Sequence, residues 1–298
     1  MKKILLFSDL LNIHLRKYPN CKICVSSIYT SAVPQWIIKV AKRSFVSNKG
    51  ILYSDWKERI EQYDKVVITD SDINKGALNY LSKVAGNKTV LYYWNKIESR
   101  ELELYKEATK LGIKQATYNL HDAMEYKIEY IPQFWNGEYV KYAKQGDIKW
   151  DVIFCGRAKN RLDNILKIKQ NIGGGMRTNF WVVSDEKTED TVKEGRPYSD
   201  YLHDVGSSAA ILDVVGEDNW GLTWRPLEAL FCKKKLITNY TDIVQYDFYE
   251  PYKNNIFIIK NGDCNGLKEF MQRKYDEVDL DLKKYDAQGW LDNIFKLN

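Results

Sequence analysis

The sequence predicts an α/β protein of two domains in tandem, each a parallel sheet covered by helices. Three observations predict it. Short apolar runs alternate with longer amphipathic stretches along the whole chain, which is how parallel strands and their crossover helices read. The 298 residues exceed what one hydrophobic core usually takes up, so two domains of about 150 residues are expected. The rhythm lapses between Trp135 and Lys149, where Gly137 and Gly146 break it. That places a first domain at 1–148 and a second at 149–298, with a linker at 136–149 and a closing helix at 288–297 that can pack back on the first domain.

In the first half, Ile4 to Phe7 is a short apolar strand and CKICVSS a strand-like run. Ala32 to Ser44 reads as a helix with Val33, Trp36, Ile37 and Val40 on its apolar face. Asp55 to Gln62 is a second helix. Lys65 to Thr69 is a buried strand running into Asp70-Ser71-Asp72, and Lys75 to Val84 returns as a helix. Thr89 to Tyr93 is a strand ending in Trp94-Asn95. Glu98 to Leu111 is a helix stopped by Gly112. Lys114 to Tyr118 gives a strand and Asn119 to Tyr126 a helical turn.

The second half restarts the pattern with the strand Asp151 to Cys155, then Gly156-Arg157 and a basic stretch with Lys159 and Arg161. Helices follow at Leu162 to Gln170 and Tyr198 to Ser207, and strands at Asn179 to Val183 and Ala209 to Val215. Pro226 reads as the first residue of a helix, where its fixed φ fits and its missing N–H was unpaired anyway. Lys233 to Lys235 stand at that helix's negative end, ahead of the strand Leu236 to Thr238. Ile256 to Ile259 is a strand, Leu267 to Tyr275 a helix, and Gln288 to Leu297 the closing helix.

Composition narrows the function. A net charge of +5 suits an anionic ligand or weak attraction to an anionic membrane better than a dedicated nucleic-acid binder, so nucleic acid is not expected as a partner. MKKILLFSDLL meets Ser8 and Asp9 after four apolar residues and reads as a strand rather than a signal peptide, and no window is apolar enough to span a bilayer. The expected location is cytoplasmic, with loose attachment to the inner membrane face allowed. Five scattered cysteines read as reduced thiols, and Cys21–Cys24 has no second pair to complete a zinc site. No G-x-G-x-x-G follows the first strand, the glycines at 173–175 follow a helix, and there is no Walker A motif or two-metal acidic cluster.

The stretch GLTWRPLEALFCKKKLIT carries the chemistry. A helix N-terminus offers free N–H groups and partial positive charge to a phosphate, Arg225 at its threshold adds a fork of donors, and Glu228 one turn in is placed for sugar hydroxyls. An ordinary reading stands beside this one: a glutamate in the first turn complements the helix dipole, and Arg-x-x-Glu forms an i, i+3 pair.

R-P-L-E-A-L, a basic turn and L-I-T resemble the donor-site segment of GT-B glycosyltransferases, especially the bacterial surface-polysaccharide group (lipopolysaccharide and capsule type, glycosyltransferase group 1) and its CgeB-like relatives. FCGRAKNRL resembles the first strand of their second domain, and LYYWNKI with ATYNLHDAMEYKIEYIPQFW their first-domain strand ends. The resemblance implies two Rossmann-like domains facing each other across a cleft. It implies transfer of a hexose from a nucleoside-diphosphate donor, UDP-sugar first among them, to a glycan or lipid-linked oligosaccharide. No cofactor and no metal are implied. The donor would be held by Gly156, Arg157, Lys159, Arg161, Thr223, Arg225, Pro226 and Glu228. Asp70, Trp94 and Asn95 would face the acceptor, and Arg225 with His14 and Asp9 would carry the catalysis. Asp70, Asp72, His121 and Asp122 are further candidates for the base of an inverting transfer. Retaining members carry two glutamates eight positions apart, whereas Trp220 stands eight before Glu228 with Glu217 nearby, so the stereochemistry stays open. A non-catalytic nucleotide-sugar or glycan-binding module is the alternative, and single-stranded nucleic-acid binding a third.

Overall fold

The computed structural model describes residues 1–8, 15, 21–43, 50–144, 146–172, 175–216 and 221–297. Among these, no helix is long and apolar enough to cross a membrane. The chain divides into two compact units, Met1–Phe134 with Lys283–Asn298, and Trp135–Leu282. The division falls at Phe134/Trp135 rather than at 148/149. Residues 136–149 belong to the second unit, where the turn of helix Gly137–Tyr142 packs on the helix Tyr198–Gly206.

The first unit is built on β1 (Lys2–Phe7), β2 (Cys21–Val25), β3 (Lys65–Thr69), β4 (Thr89–Tyr93), β5 (Lys114–Thr117) and β6 (Glu129–Tyr130). They form one sheet in the order β2-β1-β3-β4-β5-β6, every pair parallel. Side chains alternate across it, which is why the central strands are apolar throughout. Leu5, Phe7, Val66, Ile68, Leu91 and Tyr93 enter one core with Trp56, Leu78, Leu81 and Leu104. Ile4, Leu6, Val67, Val90 and Tyr92 enter the other with Trp290, Leu291 and Ile294 of the C-terminal helix Ala287–Lys296. Lys65 Nζ donates to the carbonyl of Leu297 and ties down the end of that helix.

Gly289 makes this return possible. A Cβ there would overlap the Lys283 carbonyl oxygen and lie 2.9 Å from Lys284 Cα, both backbone. Gly289→Ala should therefore cost about 1–3 kcal/mol of unfolding free energy by urea titration, although alanine is the better helix former. An unchanged or raised stability would show that the helix shifts freely.

The second unit carries β7 (Trp150–Arg157), β8 (Thr178–Val183), β9 (Thr191–Val192), β10 (Ser208–Asp213), β11 (Lys235–Thr238) and β12 (Ile256–Ile258) in the order β12-β11-β10-β7-β8-β9, again all parallel. Val152, Phe154, Ala210, Leu212 and Ile237 pack with Ile165 and Ile168 of the helix Leu162–Ile172 and with Leu267 and Phe270 of Leu267–Gln272. The helices Tyr198–Gly206 and Trp224–Phe231 pack against β10.

Three local expectations are corrected. The helix expected from Pro226 begins at Trp224, which makes Pro226 its third residue; that position's N–H has no intrahelical acceptor, so proline is equally at home there. Of the lysines after it, Lys233 pairs with Glu277 at 3.0 Å and the other two serve other carbonyls. Lys234 Nζ donates to Gly206 and Ser208, at 2.9 and 2.8 Å, and Lys235 Nζ to Phe270 at 2.7 Å, so each closes a different helix end. In the helix Gln35–Arg43 it is Ile38 that is buried and Ile37 that packs on the core, while Trp36 and Val40 face outward. All five cysteines are free, and burial pushes the Cys21 thiol up to about 11.

Candidate functional site

Strand order singles out one end of each sheet. In open parallel sheets ligands sit beyond the carboxyl ends of the strands, where neighbouring strands send their crossovers to opposite faces. In the second unit that place is between β7 and β10, the central pair of its sheet. In the first unit it is between β1 and β3.

At the carboxyl end of β7 the chain passes Gly156 and Arg157, turns at Lys159 with φ +50°, and enters the helix Leu162–Ile172. Arg157 and Lys159 are exposed. No hydrogen bond or ion pair engages the Arg157 guanidinium among the described residues. Arg161 folds back: Nη1 donates to the Val214 carbonyl and Nη2 to the Arg157 carbonyl at 3.2 Å. Its Nε is enclosed without a hydrogen-bond partner, and burial lowers the guanidinium's pKa. The nearest atoms that a Cβ on Gly156 would meet among the described residues are those of Phe154 and Arg161, at 3.5 and 3.9 Å, ordinary contacts that do not require glycine there.

β10 ends in Asp213, 2% exposed. Thr223 Oγ1 and Thr238 Oγ1 each donate to one of its oxygens at 2.9 Å. Burial raises the carboxyl's pKa, and the two threonine hydroxyls oppose that. Thr223, just ahead of the helix Trp224–Phe231, therefore spends its hydroxyl on the strand end rather than on a cap. Asn239, beyond β11, clasps Val215 through both its side-chain atoms, at 2.7 and 3.0 Å. The ends of β7, β10 and β11 are thus bound to one another by side chains.

Glu228 is at the centre of a separate network. It is fully buried, and its oxygens accept from Arg225 Nη1 at 2.6 Å, Tyr198 Oη at 2.7 Å and Tyr201 Oη at 2.8 Å. Arg225 Nη2 donates to the Cys155 carbonyl at 2.6 Å, and the guanidinium lies 4.3 Å from the centre of the Tyr201 ring. Trp135 Nε1 donates to Tyr198 Oη at 2.7 Å, extending the chain of bonds to the start of the unit. Burial and the adjacent carboxylate hold both phenols well above their usual pKa, so they stay neutral and donate. Glu228 is therefore engaged inside the fold: Arg225, Tyr198 and Tyr201 occupy the acceptor directions that the expected ribose contact would use. Arg225 likewise presents no free fork to a diphosphate.

In the first unit Asp70 is fully buried at the end of β3. It accepts from Trp94 N and Asn95 Nδ2, both at 2.7 Å, and burial raises its carboxyl's pKa. The structure thus brings the acceptor trio together but makes Asp70 the support, with Asn95 exposed and Trp94 half-buried. Asp122 is buried and accepts from Ile97 N at 2.8 Å. Exposed His121 lies 3.5 Å from Glu125, and the three side chains could converge on one cation, their ligand atoms lying within 4.8 Å of one another. Asp9, His14, Glu217 and Trp220 lie outside the described residues, as do Gly173 and Gly174. Sequence reasoning missed Tyr198, Tyr201, Trp135, Asp213 and Thr238. The last two carried a usable signal, a polar residue ending an apolar strand.

No protein-family model matches this sequence, and no curated protein does. Solved structures do match. An alpha-glucosyltransferase in complex with UDP and a 13-mer DNA containing a central A:G mismatch superposes with a TM-score of 0.60 at 10% identity, over 97% of this chain and 93% of that one. T4 phage BGT in complex with UDP and Mn2+ gives 0.44 at 14% identity, over 80% of each chain. The DNA modifying enzyme beta-glucosyltransferase, in the presence and absence of uridine diphosphoglucose, gives 0.47 at 12% identity, over 99% and 94%. At such identities a likeness speaks to fold, and only the first is close enough to carry an argument. These descriptions speak of UDP and DNA, and none of a lipopolysaccharide, capsule or CgeB-like enzyme. With two six-stranded parallel sheets, one in each unit, and that likeness over nearly its whole length, the chain has the GT-B fold.

Proposed function

We propose that this protein is a glycosyltransferase that takes a hexose from a nucleoside-diphosphate donor, UDP-sugar first among them, and passes it to a nucleic acid. The observation that carries the donor half is the carboxyl end of β7 and β10. There Arg157 and Lys159 stand exposed at the start of an eleven-residue helix, beside Arg161 with its unpaired Nε. Free N–H groups, a helix dipole and uncommitted cations are what a leaving diphosphate requires as its charge develops. Of the donor residues expected from the sequence, Arg157, Lys159 and Arg161 carry the diphosphate in this reading, and the Arg225–Glu228 pair holds the β7 end in place through the Cys155 carbonyl.

The acceptor half is supported by the DNA held by the structure of TM-score 0.60. It replaces the surface glycan expected from the sequence and withdraws the expectation that nucleic acid is no partner. A net charge of +5 is compatible with a polyanionic acceptor.

UDP at millimolar concentration is expected to raise the melting temperature, since binding only the native state stabilises it by mass action. Incubation with radiolabelled UDP-glucose and duplex DNA should then leave label on the DNA. A melting point indifferent to every nucleoside diphosphate would sink the donor site. Nucleotide binding with label reaching a glycan, and never DNA, would overturn the acceptor.

A further inference from the structure

The helix Gln35–Arg43 carries a surface that the donor and acceptor-trio residues leave unexplained. Its sequence, QWIIKVAKR, holds three cations and no acid. Ile38 is 2% exposed and Ile37 packs on the first unit's core, so the inward face is satisfied. Outward stand Trp36, 68% exposed, and Val40, 57% exposed, with exposed Lys39 between them. Trp36 lies in the helix's first turn, reached by the chain after it leaves the carboxyl end of β2.

We propose that this face docks a nucleic-acid strand, Trp36 stacking on a base and Lys39 pairing with a phosphate; the proposal rests on the acceptor reading above. A wholly cationic helix complements a polyanion. An exposed aromatic plane one turn from exposed Lys39 matches the stacking platforms that grip bases without regard to sequence. An anionic lipid surface would also attract cations and a tryptophan. Membrane-lying helices, however, turn their large aliphatic residues outward, and here both isoleucines point into the protein.

The test uses the full chain, a fluorescein-labelled duplex and the matching single strand, read by anisotropy at low salt, alongside sedimentation with phosphatidylglycerol vesicles. Trp36→Ala is expected to weaken DNA binding about tenfold, and Lys39→Gln several-fold with a shallower salt dependence. The melting temperature and its shift with UDP should stay as in the wild type. DNA affinity unchanged in both variants, while label still reaches DNA, would overturn this surface and leave the acceptor reading standing. Loss of vesicle binding with DNA affinity intact would overturn it in favour of a membrane face. A wild type that binds UDP but no DNA would remove the acceptor reading and this surface together.

Discussion

Glu228→Ala is expected to lower the unfolding free energy of the second unit by about 3–5 kcal/mol, the loss seen when one partner of a buried ion pair is removed. The cause is what remains behind. Arg225 would keep its bond to the Cys155 carbonyl and its place over the Tyr201 ring but lose its counter-charge. Half-buried Tyr198 and buried Tyr201 would lose their acceptor, and unmade buried bonds cost about 1–3 kcal/mol each before relaxation. For a unit of this size the melting temperature should fall on the order of ten degrees. Glu228→Leu combined with Arg225→Met removes both charges and should recover the part of the loss that comes from the uncompensated guanidinium, while the two tyrosine hydroxyls still lack their acceptor. Urea titration followed by near-ultraviolet circular dichroism reads both variants against the wild type. A loss under about 1 kcal/mol for Glu228→Ala would mean that the carboxylate only complements its helix dipole, and would return it to the list of groups free to meet a ligand.

That network also shows how far the sequence could be read. The Arg225–Glu228 pair was legible, because two residues three apart on one helix meet whatever the rest of the chain does. The tyrosines were not: they arrive from 30 and 27 residues upstream, and nothing local to Tyr198 announces its partner. The strands were legible for a physical reason as well. A parallel strand buried on both faces must be apolar throughout, and KVVIT, TVLYY and KLIT read that way however they pair. The helix Gln35–Arg43 was found but turned the wrong way, since Trp36, Ile37 and Val40 fit a helical stripe as well as Ile37 and Ile38 do, and packing alone decides between them. The return of Ala287–Lys296 to the first unit depends on Trp290 meeting Tyr92 and Phe134, at ring separations of 5.3 and 5.1 Å, contacts that leave no periodic mark. A uniform alternation of strands and helices likewise hid that the chain passes between the units twice, after Phe134 and after Leu282.

Arg157→Ala is expected to weaken UDP binding about ten- to a hundredfold, as loss of one or two charge-assisted hydrogen bonds does, while changing stability by less than about 0.5 kcal/mol. The two halves of this expectation come from the same geometry. Arg157 stands exposed at the carboxyl end of β7 with its guanidinium unengaged among the described residues, so folding loses nothing when it goes and a bound diphosphate loses a fork of donors. Arg225 is the opposite case: its donors are committed to Glu228 and Cys155, so Arg225→Ala should lose stability, and nucleotide affinity should fall only as far as the β7 end loosens. Lys159→Ala, exposed on a left-handed turn in the same loop, should follow Arg157 with a smaller effect, since an ammonium offers a point charge where guanidinium offers two aligned donors. Calorimetric titration of UDP into each variant, beside its urea unfolding curve, separates affinity from stability. Should Arg157→Ala bind UDP like the wild type while Arg225→Ala keeps its stability and loses the nucleotide, the donor would sit at the start of the helix Trp224–Phe231, and the buried network would have to open to receive it.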